Sequence, residues 1–305
     1  MIASHSKIGR HFPIGYFLLY LLPKNAFSRF CGLIAELRLP GMVLKPMIRL
    51  FVRVFKIDMS EAIDPISAYP TFNAFFTRRL RQETRPIDLR PNVLVSPVDG
   101  TIGQVGSIED GRMIQAKGLD YTISDLLDDP VRADSYLGGH YITLYLAPSN
   151  YHRIHSPVSG SIKRCTCIPG QLWTVSPLGV NNVRNLFPRN ERIVSYIETD
   201  QGECAVVKVG ATVVGKVKLA YYSMETNKYN AQRAEVALHQ PYKISRGQEL
   251  GVFELGSTVI CCFKPGQVKW GAISKGQTVR LGETLGNFFY NVHSDSGPLD
   301  ISTST

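Results

Sequence analysis

From residue 91 onward, glycine and proline cut the chain into short runs rich in β-branched and aromatic residues, a texture that favours strands over long helices. The runs 102–108, 141–147, 160–168, 192–198, 203–209, 212–219 and 252–263 read as strands. Residues 118–127 read as a helical insertion, with Thr122 or Ser124 as its cap. The fold class that follows is α+β, a β-dominated domain of mainly antiparallel strands behind a helical N-terminal region. A chain of 305 residues is long enough to bury one large core or two smaller ones.

Charge is spread unevenly. Residues 1–56 hold Lys7, Arg10, Lys24, Arg29, Arg38, Lys45, Arg49, Arg53 and Lys56 against the single acid Glu36, while the whole chain is only +9. A basic, acid-poor and apolar segment ahead of a nearly neutral body points to an anionic membrane surface, and no nucleic-acid-binding motif accompanies it. The uncharged run 14–22 is too short to span a hydrocarbon core of about 30 Å as a helix, and no signal-type cleavage site follows it. Residues 42–56 read as an amphipathic helix, because Lys45, Arg49, Arg53 and Lys56 share one face and apolar residues fill the rest. Such a helix suits a membrane interface; the plainer reading is a core helix with a solvated basic stripe. Residues 57–70 read as a polar connection and 71–81 as a further helix with Phe72, Phe75 and Phe76 on one face, closed by Arg85-Pro86. The organisation is therefore a membrane-association region 1–56, a linker and helix 57–90, a β-rich domain 91–293 and a flexible tail 294–305. Six cysteines lack zinc-type spacing and read as reduced thiols of a cytoplasmic environment.

Chemistry gathers at a few short segments. Ser257 follows Gly256 where a strand enters a tight bend. A serine hydroxyl bent onto the preceding carbonyl can replace the peptide bond with an ester, and glycine opens both the carbonyl face and the backbone angles this requires. Elimination would then break the chain and, after hydrolysis, leave a ketone, a pyruvoyl group, at the new N-terminus. Elsewhere Asp99 stands before a glycine turn, and His152 and His155 are three apart. The histidine pair could be a metal site, a helix surface or polar residues at a sheet end, although no third ligand lies nearby for zinc. Alternatively Asp99, His155 and Ser257 form a relay in which His155 takes the Ser257 proton and Asp99 orients the imidazole.

The segments Phe75-Phe-Thr-Arg-Arg-Leu80, Ser96-Pro-Val-Asp-Gly100, Gln115-Ala-Lys-Gly118, Tyr151-His-Arg-Ile-His155, Val209-Gly-Ala-Thr212 and Leu255-Gly-Ser-Thr258 occur in an order that resembles the bacterial pyruvoyl-dependent phosphatidylserine decarboxylases. The resemblance runs from about Phe72 to Gly286. It implies a self-processing triad of Asp99, His155 and Ser257, with His152 acting in decarboxylation itself. It implies a proenzyme cut between Gly256 and Ser257 into a chain of residues 1–256 and one of residues 257–305, held together as a heterodimer. The expected cofactor is the pyruvoyl group made from Ser257, with no metal and no pyridoxal phosphate. Phosphatidylserine would form a Schiff base with that ketone, lose carbon dioxide, take a proton from His152 and leave as phosphatidylethanolamine. The expected location is the cytoplasmic side of the cell membrane, peripherally bound, with homo-oligomerisation open. Three readings compete: a decarboxylase of a soluble amino acid, a non-catalytic lipid-binding protein and a serine hydrolase.

Overall fold

The computed structural model describes residues 23–213, 216–254 and 257–289. The apolar run 14–22, Leu255, Gly256 and the tail 294–305 lie outside the described residues, as does the side chain of Ser257.

Helices come first, at Lys24–Ala35 (α1), Gly41–Phe55 (α2) and Phe72–Phe76 (α3). The last is capped by Thr71 Oγ1, which accepts from the Ala74 amide at 3.0 Å. It stops well short of residue 81, because the amides of Ile63 and Arg81 bond to the carbonyls of Arg79 and Glu61 and draw the chain out of helical geometry. Leu44 and Ile48, four residues apart on α2, pack with Ile57, Tyr69 and Phe75 in a small core. Phe51 on the same helix meets the edges of Phe72, Phe75 and Phe76. α1 is tied to the β-rich body through Asn25, which donates to the Gly170 carbonyl, and Ser28, which accepts from the Val213 amide. Among the described residues no helix is long and apolar enough to cross a membrane.

The body then runs through β1 (Val93–Val95), β2 (Gly100–Ser107), β3 (Arg112–Ala116), β4 (Leu119–Thr122), β5 (His140–Leu146), β6 (Arg153–His155), β7 (Gly160–Ile168), β8 (Arg192–Thr199) and β9 (Gly202–Val209). It continues through β10 (Lys216–Leu219), β11 (Ala234–Ile244), β12 (Glu249–Glu254), β13 (Ser257–Phe263), β14 (Val268–Trp270), β15 (Thr278–Val279) and β16 (Thr284–Phe288). The expected insertion at 118–127 is strand β4 followed by the short helix Ile123–Leu127, with Thr122 as its cap. Within 212–219 only Lys216–Leu219 is a strand.

Eight strands form one antiparallel sheet in the order β11-β7-β8-β9-β13-β5-β2-β15. Both faces of its centre are covered. Val207, Val209, Ile260 and Cys262 face one core with Trp173 and Phe187, while Val206, Val259 and Cys261 face a second with Phe253 and Leu285. The run 252–263, read as one strand, is two. β12 pairs with β10 and β6 in a separate three-stranded sheet, whereas β13 lies mid-sheet between β9 and β5, so the chain changes sheets across residues 255 and 256.

Candidate active site

Strand register sets the frame. Ser257 stands opposite Leu146 on β5, and the next row joins Thr258, Tyr145 and Thr101 across β13, β5 and β2. With about 5 Å between neighbouring strands, the Ser257 backbone lies about 10 Å from the start of β2, where Asp99 enters. The turn there is tight: a Cβ on Gly100 would come within 2.6 Å of the Tyr145 carbonyl oxygen. β6 brings the histidines to the same place, since the His155 amide donates to the Pro97 carbonyl at 2.8 Å.

Asp99 is buried and spoken for. Arg85 donates to its carboxylate from Nε and Nη2 at 2.6–3.1 Å, and the Leu281 amide adds a bond of 2.9 Å. The same guanidinium reaches Glu61 at 2.8 Å. Burial works against the Arg85 charge, but the hydrogen bonds to Asp99 and Glu61 outweigh it and hold the guanidinium protonated.

His155 is oriented differently from the expected relay. Its Nδ1 lies 2.9 Å from the Gly247 carbonyl, so Nδ1 carries the hydrogen and donates it. Nε2 is then a lone pair, buried and without a partner among the described residues. The orienting bond expected from Asp99 is thus made by Gly247, because Asp99 is engaged by Arg85 and acts on the imidazole only through space. Burial lowers the His155 pKa and keeps the ring neutral, the bond to Gly247 only partly offsetting it.

His152 is fully buried. Its Nδ1 donates to the Asn150 carbonyl at 2.8 Å, its Nε2 has no partner among the described residues, and its ring lies 4.1 Å from that of Phe76. Burial pushes its pKa down to about 3; the Asn150 bond opposes that shift and the Arg78 charge adds to it.

Two cavities are lined by neighbours of this histidine. One, of about 750 Å³, is apolar and is lined by Ile34 of α1, Leu50 and Phe51 of α2, Phe76, Tyr145 and Leu146. The other, of about 220 Å³, is polar and is lined by Arg78, Arg85, Asp99, Asn150, Tyr151 and Arg280. Phe76 belongs to the wall of the first, and Asn150 and Arg78 to the second, so His152, which lines neither cavity itself, touches one wall residue of each. Arg85, Gly247 and Asn150 escaped the sequence reading, since each acts through a backbone carbonyl or a partner far along the chain. Arg78 lay inside a motif, and the sequence did not choose among it, Arg79 and Lys117 as a phosphate ligand. Among the described residues no group of three or more histidine, cysteine, aspartate or glutamate side chains could hold a metal ion.

Neutral buried histidines and an apolar cavity fit a carboxy-lyase that acts on a substrate with an apolar part. The chain belongs to the phosphatidylserine decarboxylase family, whose model matches residues 72–287. It is 43% identical over 271 residues to the phosphatidylserine decarboxylase proenzyme of Myxococcus xanthus, covering 88% of this chain and 96% of the relative. It is 47% identical over 272 residues to that of an Anaeromyxobacter species, with the same coverage. With the proenzyme of Brevibacillus brevis it shares 42% identity over 272 residues, covering 88% and 95%.

Proposed function

We infer that this chain decarboxylates phosphatidylserine to phosphatidylethanolamine, after cutting itself between Gly256 and Ser257. The observation that carries the reading is that His152 touches Phe76 of an apolar cavity and Asn150 of a polar one, an arrangement that suits a substrate with both kinds of surface.

Processing starts when Ser257 Oγ attacks the Gly256 carbonyl. His155 Nε2, neutral and unpartnered among the described residues, takes the hydroxyl proton, and its ring is held for this by Gly247. Asp99, held in place by Arg85, stabilises the imidazolium through space. The amide becomes an ester; loss of the carboxylate by elimination leaves dehydroalanine at residue 257, and hydrolysis releases ammonia and leaves the pyruvoyl ketone. The residues present fit that group, since Ser257 opens β13 after a glycine in the sequence, and β12, which precedes that step, pairs with the strand that carries the neutral base His155. Once formed, the pyruvoyl group supplies the electron sink for loss of carbon dioxide.

His152 handles the substrate's proton. Loss of carbon dioxide from a carboxylate consumes one proton, which ends on the α-carbon. His152 is neutral at rest and must first acquire it, and the substrate ammonium has one to give before its nitrogen becomes nucleophilic. The acyl chains lie in the apolar cavity, whose mouth is formed by α1 and α2. Those helices rest on an anionic bilayer on its cytoplasmic side, with 57–90 connecting them to the catalytic domain 91–293 and the tail 294–305 free. The products 1–256 and 257–305 stay together as a heterodimer, because β13 is paired on both sides.

Intact mass tests the first step. Two chains are expected, the shorter lighter than a serine-initiated 257–305 by about one ammonia, and a single uncut chain in active enzyme overturns the reading. Release of carbon dioxide from phosphatidylserine vesicles tests the second.

A further inference from the structure

Arg78 is a buried cation that the processing chemistry leaves unused. Only 4% of its surface is exposed, and its Nε and Nη1 groups have no acceptor among the described residues. Its single hydrogen bond among the described residues, from Nη2 to the Ser149 carbonyl, is long at 3.3 Å, and the ring of Phe75 lies 5.5 Å from its guanidinium carbon. Of the three carboxylates that share its cavity, Asp99 and Glu61 are already held by Arg85, and Asp58 accepts from Ser60. A guanidinium buried without a carboxylate is costly, because its donors lose water and gain nothing in return. A site retaining such a cation beside a cavity is suited to an anion that arrives with the ligand.

We propose that Arg78 is the subsite for the phosphodiester of the substrate headgroup. The proposal rests on the phosphatidylserine reading above and names the group that holds its phosphate. Two anions are present in that headgroup, and chemistry chooses between them. A cation on the departing carboxylate would stabilise the ground state more than the transition state, in which that charge is dispersing, and would slow the reaction. A cation on the phosphodiester meets the same charge before and after, and so contributes binding and position. The placement agrees: Arg78 lines the polar cavity together with Asn150, whose carbonyl holds the His152 ring.

The test compares wild type with Arg78→Gln and Arg78→Lys as processed enzymes, using a soluble short-chain phosphatidylserine. Two probes separate the anions: glycerophosphoethanolamine carries the phosphodiester without the carboxylate, and free L-serine carries the carboxylate without the phosphate. Arg78→Gln is expected to raise KM and the inhibition constant of glycerophosphoethanolamine by about tenfold or more, leaving any inhibition by serine unchanged, and Arg78→Lys to recover part of the loss. Unchanged constants, a loss confined to serine, or no inhibition of wild type by glycerophosphoethanolamine overturns the proposal. If Arg78→Gln remains uncut or unfolded, Arg78→Lys decides: its constant for glycerophosphoethanolamine must rise several-fold, and equality with wild type overturns the assignment. Failure of wild type to decarboxylate phosphatidylserine would instead sink the underlying function.

Discussion

Arg85 holds Asp99 by a two-pronged contact, with both side chains only 7–8% exposed, and so fixes a carboxylate at the entrance to β2. Truncating the arginine would leave that carboxylate with the Leu281 amide as its remaining donor among the described residues. Arg85→Ala is therefore expected to cost about 3–5 kcal/mol, the penalty for stranding one partner of a buried pair. Adding Asp99→Asn should return part of it. Urea unfolding in the uncleavable Ser257→Ala background measures both, and a single-variant loss under about 1 kcal/mol would show the pair to be dispensable.

The histidines should separate by step. His155→Ala is expected to give one uncut chain on intact mass, because the base that faces the cleavage step is gone. His152→Ala should still cut but decarboxylate about 10²- to 10⁴-fold more slowly. A pH dependence follows from the state of His155. A base works deprotonated, and burial lowers this histidine's pKa from its ordinary 6.5. Processing should therefore be flat above pH 6.5 and decline only on the acid side, with a midpoint below 6.5. A time course of precursor cleavage on gels checks this; a midpoint above 6.5 would mean the ring is stabilised as a cation.

Gly100 sets how closely β2 approaches β5. An alanine there would place its Cβ 2.6 Å from a backbone oxygen, which cannot rotate away, so the strands must part next to Asp99. Gly103→Ala on the same strand meets only ordinary contact at 3.5 Å. Gly100→Ala should cost about 1–3 kcal/mol and slow cleavage, and Gly103→Ala should do markedly less. Equal effects would detach the processing geometry from this strand pair.

Much of the sheet was legible because local signals coincide with its edges. Gly160 and Pro169 bracket β7, and the apolar or β-branched residues Ile162, Cys165, Thr166, Cys167 and Ile168 fill the run between them. β11 was not read as a strand, for it is a largely exposed edge strand that contains Pro241. The break between β12 and β13 was hidden by apolar alternation that continues across it, since periodicity records burial and not which sheet buries it. The nearness of Asp99 and His155 came from the family resemblance. The roles of Arg85 and Gly247 could come from neither source, because they depend on contacts spanning 14 and 92 residues.

The faces of α1 and α2 allow membrane binding to be separated from folding. Leu33 on α1 and Leu50 on α2 are 69% and 62% exposed, so replacing them removes little packing. Leu33→Glu with Leu50→Glu should leave the unfolding midpoint within about 0.5 kcal/mol per site and leave self-cleavage intact. On an anionic bilayer the same leucines would bury apolar surface worth roughly 1.5 kcal/mol or more each, and the new carboxylates would face like charge. Cosedimentation with phosphatidylserine-containing vesicles should then weaken by at least about 100-fold. Arg49 and Arg53 are also exposed, so wild-type binding should weaken as salt rises and screens them. Sedimentation unchanged by the double substitution would mean that some other surface meets the lipid, and activity on vesicles would then have to be explained without these helices.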